Sequence, residues 1–198
     1  MISSVLSDGM NAEIKEMLLK EGVENLYFLN PAVNSFGVKL CYSDPSTLGV
    51  DRMAALIAAN ENYAGNSCIV DCGTAVTVDA LDVNGVHLGG VIIPGAEAMK
   101  KALLANTKIE VNDSDVEFNV LSQTTENAIH TGCISAVVGG IEYVVNKMAS
   151  DYDGFDQILL TGGGAEHFKT FATDAFQTQV HIVETLVLDG LSAVSQNI

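Results

Sequence analysis

Between Ser67 and Ile93 three strand-like runs follow one another with almost nothing between them. Ser67–Asp71, Ala75–Leu81 and Val86–Ile93 are rich in valine, isoleucine and threonine. The second connection contains Asn84-Gly85, the strongest short hairpin signal. A meander of this kind commits the chain to a sheet with antiparallel neighbours. Around it, strands and helices alternate. Ile2–Leu6, Asn25–Leu29, Val38–Tyr42, Asp156–Leu160 and Val180–Val183 read as strands. Asn11–Glu21, Asp51–Tyr63, Gly95–Leu104, Ala165–Ala172 and Val187–Val194 read as helices, and Thr124–Met148 as one long helix, apolar enough to be largely buried. Ser43–Ser46 reads as a turn and Asn112–Val120 as a loop. The pattern predicts an α/β fold with a mixed sheet. It divides into a subdomain over residues 1–64 and a second over 65–198.

The formal charge of −16, with 9 lysines and arginines against 25 acids, disfavours a nucleic-acid backbone as partner. It does not exclude an anionic ligand, because backbone N–H groups bind phosphate without side-chain cations. No apolar run reaches the roughly 18–20 residues of a membrane span. The N-terminus lacks a basic stretch followed by an apolar one, so the expected location is cytoplasmic, with no membrane partner. Cys41, Cys68, Cys72 and Cys133 form no CxxC pair and are expected to be reduced, small, buried apolar residues.

Five stretches carry chemistry. In DCGTAVTVD (71–79), Gly73 admits a ligand close to the backbone, Thr74 and Thr77 offer hydroxyls, and Asp71 at a strand end can hold a cation or water. The same residues would also make an ordinary β-turn. In DPSTLGVDR (44–52), Gly49 permits a sharp entry to a helix whose first turn holds Asp51 and Arg52. A helix N-terminus favours an anion there, so Asp51 can accept a proton, and Arg52 can grip a small carboxylate in two places. The alternative is a capping aspartate beside a solvated arginine. In HLGGVIIPG (87–95), glycines interrupt a strand, as close approach by a ligand requires, while His87 reads more readily as a hydrogen-bonded strand histidine than as a catalyst. LTGGGA (160–165) lies between a strand and a helix, where a side-chain-free backbone can hold a nucleotide. It is neither GxGxxG nor a P-loop. TTENAI (124–129) opens the long helix, and capping explains one of its two threonines.

In order and spacing, GVDR (49–52), DCGTAVTVD (71–79), HLGGVIIPG (87–95), TTENAI..G (124–132) and TGGGA (161–165) resemble type III pantothenate kinases over essentially the whole chain. The resemblance implies the actin/hexokinase/Hsp70-type (ribonuclease H-like) nucleotide-binding fold and a homodimer with a shared active site. It implies transfer of the γ-phosphate of ATP to pantothenate, the first step of coenzyme A biosynthesis, with a divalent metal (Mg²⁺) and a monovalent cation (K⁺ or NH₄⁺). Carried over by residue, it makes Asp51 the proton acceptor. Gly49, Val50, Arg52 and Thr125 become substrate contacts, with Arg52 near the pantothenate carboxylate. Gly73, Thr74, Gly162 and Gly163 become nucleotide contacts, and Asp71 the cation ligand.

One departure is plain. The family opens on a DxGNT-type phosphate loop, which this sequence lacks, so the first half of the fold is expected to be incomplete. The isolated chain is accordingly expected to fall short of full kinase activity. It would be a truncated enzyme, one completed by another chain, or a non-catalytic homologue that acts as a dimeric binding or regulatory protein. Another acid or sugar kinase of the same fold is a further alternative, against which GVDR followed by DCGTA argues.

Overall fold

A computed structural model of the chain describes residues 8–33, 36–109, 111 and 116–197. Six strands form one mixed sheet in the order β1-β4-β3-β2-β5-β6. They are β1 (Lys39–Leu40), β2 (Ser67–Cys72), β3 (Ala75–Leu81), β4 (Val86–Pro94), β5 (Gln157–Thr161) and β6 (Val180–Ile182). β1 runs parallel to β4, with Leu40 opposite His87, and β5 runs parallel to β6. The links from β2 to β3 and from β3 to β4 are too short for a crossover, so these strands form the expected meander.

The chain divides into two compact units, neither continuous in sequence. One holds residues 1–67, 79–89 and 185–198; the other holds 68–78 and 90–184. The first crossing falls near the boundary expected at 64/65, but β3 and β4 each carry the chain across again.

In the first unit, helix α1 (Asp8–Lys20) is followed by α2 (Val50–Asn62), which buries Met53 through Ala59 without a break. Alanine at four of those positions lets another helix approach closely. That helix is α7 (Leu186–Gln196), and a Cβ added to Gly190 would lie 1.9 Å from the carbonyl oxygen of Ala54. The second unit packs α3 (Ala96–Ala105), α4 (Thr125–Asp151), α5 (Ala165–Phe171) and the short α6 (Asp174–Gln177) around a core of Cys68, Val70, Val78, Ile141, Leu160 and Phe168.

Some expectations change. Asn25–Leu29 is not a strand; it contains only an isolated bridge at Phe28, because a β-prone run makes no ladder without an edge to pair with. α4 is not buried all round. It buries a stripe at Ile129, Ile134, Val137, Val138, Ile141 and Val145, at helical spacing, while Tyr143 is exposed. By length and mean hydropathy (1.4) α4 alone among the described helices would span a membrane, but a helix with a stripe in a protein core has the same composition. All four cysteines are unpaired; Cys68 and Cys72 are buried as expected, Cys133 is half-buried, and Cys41 is exposed. The strand expected at Ile2–Leu6 lies outside the described residues.

The α2–α7 contact predicts a contrast. Gly190→Ala forces its methyl against backbone and should destabilise the chain by about 1–3 kcal/mol in urea unfolding. Gly139→Ala, in α4 with nothing within 4 Å of the new methyl, should stabilise it by roughly 0.5–1 kcal/mol.

Candidate active site

The sequence candidates fall into two groups, one in each unit. In the first unit, Gly49 is the N-cap of α2 and gives no side-chain cap. Asp51 lies in the first turn, half-buried, and its Oδ1 accepts a 2.8 Å hydrogen bond from the backbone N–H of Arg52. A Cβ at position 49 would sit 2.6 Å from that same oxygen, so glycine is what leaves room for the Asp51 carboxylate. Val50, the first residue of the helix, is half-buried.

Arg52 is not solvated. It is the chain's one arginine, and it is 5% exposed. Its Nε and Nη2 donate to the two carboxylate oxygens of Asp79 at 2.8 and 2.5 Å, and its Nη1 donates to the Tyr42 hydroxyl at 3.0 Å. Asp79 Oδ1 also lies 2.8 Å from His87 Nε2. An ionised carboxylate only accepts, so Nε2 carries the proton. His87 is thus a hydrogen-bonded strand histidine, fully buried. Burial alone would raise the Asp79 carboxyl, but hydrogen bonds from Arg52 and His87 outweigh it and hold the group below the usual carboxylate range. Burial likewise works against the Arg52 charge, and the bonds and charge of Asp79 reverse that.

In the second unit, the β2–β3 turn meets two other segments backbone to backbone. Gly95, at the head of α3, donates its N–H to Thr74 O at 3.1 Å. A Cβ at Gly95 would sit 2.6 Å from that oxygen. Gly164 donates to Cys72 O at 2.9 Å. Gly162 has φ of +83°, and a Cβ there would fall 2.3 Å from Asp71 Oδ1 and 2.9 Å from the backbone of Cys72. The two glycine-rich stretches read from the sequence are therefore in contact, with Asp71 at their junction. Gly73, Thr74 and Gly163 are exposed. Beside them, a cavity of about 100 Å³ is lined mainly by apolar atoms, including Cys72, Val76, Ile134 and Phe168. Burial, with a contribution from Asp71, pushes the Cys72 thiol up to about 12, so it stays protonated and is no nucleophile at neutral pH.

At the start of α4 the capping hydroxyl belongs to Thr124, which accepts from the Asn127 N–H at 3.3 Å; Thr125 is exposed. Sequence reasoning missed Tyr42 and Asp79. Asp79 left a signal: an acid flanked by Val78 and Ala80 inside a strand is buried, and a buried charge needs a partner. Tyr42 left none beyond its place shortly before the GVDR stretch.

A family model for type III pantothenate kinases matches residues 1–147. A type III pantothenate kinase of Nitrosococcus oceani is 38% identical over 176 residues, covering 86% of this chain and 65% of that protein. One from Azoarcus sp. is 34% identical over 194 residues, 98% of this chain and 70% of that protein. The chain thus spans about two thirds of the length of these relatives. Among solved structures, a Baf family transcriptional activator from Campylobacter jejuni aligns with a TM-score of 0.61 at 23% identity, over 97% of this chain and 80% of that one. At that identity the likeness speaks for the fold, which is the actin/hexokinase/Hsp70-type α/β fold.

The depressed Asp79 carboxyl sets the sign of a pH effect. Its contribution to stability is present above the unfolded carboxyl value of about 4 and is lost as pH falls towards the lower folded value. Urea unfolding of the wild type should weaken on going from pH 5 to pH 3. Asp79→Asn should lose about 3–5 kcal/mol at pH 7, as broken buried pairs do, and show less of this acid sensitivity.

Proposed function

Because the chain belongs to the type III pantothenate kinase family, we propose that it transfers the γ-phosphate of ATP to the primary alcohol of pantothenate, in the cytoplasm and as a homodimer. The observation that carries this reading is that each unit holds one built group. A first-turn aspartate has its carboxylate seated by Gly49, and a glycine-lined turn at Asp71–Thr74 is braced by Gly95, Gly162 and Gly164.

In the reaction, the alcohol oxygen bonds to the γ-phosphorus and the bond from that phosphorus to the β–γ bridging oxygen breaks. The alcohol proton passes to Asp51, and ADP leaves. Phosphoryl transfer asks mainly for positioning and charge neutralisation, so a placed carboxylate is base enough. The exposed backbone of Gly73, Thr74 and Gly163 would hold phosphate and nucleotide, with Gly162 keeping the loop close to the turn. Thr125 and Val50 would touch pantothenate, and Arg52 would meet its carboxylate. Asp71, a carboxylate at the end of β2, would hold the monovalent cation, K⁺ or NH₄⁺. No cluster of three or more His, Cys, Asp or Glu suited to a metal occurs among the described residues. The divalent ion would enter with ATP, where it would neutralise phosphate charge.

Two variants test the assignment in a coupled ADP-release assay. Asp51→Asn should lower kcat by roughly 10²–10⁴-fold with ATP affinity nearly unchanged; a near-normal kcat would remove Asp51 as the base. Asp71→Ala should abolish activation by potassium, and undiminished potassium dependence would remove it from the cation site.

A further inference from the structure

The reading above leaves Asp79 without a task. We propose that Asp79 is a positioning residue for substrate recognition: by occupying one edge of the Arg52 guanidinium it aims the remaining N–H groups at the carboxylate of the substrate. The inference rests on the reading that Arg52 meets that carboxylate.

The geometry is that of a held fork. Asp79 takes the Nε and Nη2 edge through both of its oxygens. Tyr42 takes one N–H of Nη1, and the guanidinium carbon lies 5.7 Å from the centre of the Tyr42 ring. These bonds use three of the five guanidinium N–H groups and leave one on each terminal nitrogen for a ligand carboxylate. Asp79 is itself fixed, because His87 Nε2 binds the oxygen that Nη2 binds. The His87 ring in turn lies 5.6 Å from the Tyr42 ring, and its Nδ1 lies 4.0 Å from Cys41 Sγ. Asp79, Arg52, Tyr42 and His87 thus form a closed ring of contacts, with Asp79 2% and His87 0% exposed.

Charge makes positioning consequential. The chain carries a net −16 and only one arginine, so a carboxylate ligand meets a repulsive background. A single cation discriminates well only if its donors are already directed, since an unheld guanidinium must be ordered on binding.

The test compares pantothenate with its alcohol analogue, in which a hydroxymethyl group replaces the carboxylate, by isothermal titration. The wild type should prefer pantothenate by roughly 10–100-fold, the range of a hydrogen bond to a charged group. Arg52→Met should bring that ratio near one. Asp79→Glu keeps the charge but displaces the carboxylate by a methylene; it should also bring the ratio near one while shifting affinity for the alcohol by less than about threefold. A merely structural role would weaken both ligands together. If folded Asp79→Glu keeps the wild-type ratio while Arg52→Met loses it, positioning is refuted and the Arg52 reading stands. If Arg52→Met keeps the ratio, both fall. A second measurement needs no variant. The single arginine gives one assignable Nε signal in nitrogen-15 NMR, and a held guanidinium shows separate, slowly exchanging Hη signals without ligand. Averaged Hη signals in the wild type would overturn the proposal.

Discussion

The close contact of the β2–β3 turn with the backbone at Gly95, Gly162 and Gly164 is the constraint from which the second unit is built. Two segments far apart in sequence, one at Gly95 and one at Gly162–Gly164, converge on residues 71–74. At each of these three glycines a Cβ would lie within 3 Å of an atom of the turn. The convergence fixes where α3 and α5 begin, because Gly95 and Gly164 are their N-caps. It also leaves the turn's outward backbone at Gly73 and Thr74 exposed. The Gly73 N–H closes the turn itself on Ala75 O at 3.2 Å, so the turn is braced from within as well as from outside.

The first unit follows a different principle. Its buried polar residues Arg52, Asp79 and His87 are held by charge. Burying a carboxylate, a guanidinium and an imidazole together is costly unless every polar group finds a partner. Asp79 meets that condition by serving Arg52 and His87 at once. Asp51, one residue before Arg52, stays only half-buried, with its carboxylate tied to the first-turn backbone. Adjacent residues of one helix therefore have opposite fates. One is locked into a buried network, and the other stays half-buried at the start of the helix.

Much of this was legible in the sequence. The meander, α2, α3, α5 and α7 were visible because period-2 and period-3.6 patterns were strong and the turn residues agreed with them. The glycines of DCGTA and TGGGA marked each stretch as a loop open to a ligand, while the contact between them left no sign. Other features were not legible. The solvated arginine considered as an alternative at position 52 is in fact buried, because its partner lies 27 residues away and pairing at that distance leaves no local pattern. The burial of α4 was overstated, since its apolar residues exceed what one stripe can bury. The chain passes between the two units within β2, β3 and β4, where composition does not change, so those passages leave no mark in the sequence.

The central claim is that this chain moves phosphate from ATP onto an alcohol. Phosphorus-31 NMR of the wild type with ATP, Mg²⁺, K⁺ and pantothenate tests it most directly. The account predicts that the γ-phosphate signal declines while a phosphomonoester signal grows by the same amount, even if slowly. Persistence of the γ-phosphate signal would contradict it. So would its conversion to inorganic phosphate with pantothenate unchanged, which would mean hydrolysis without transfer.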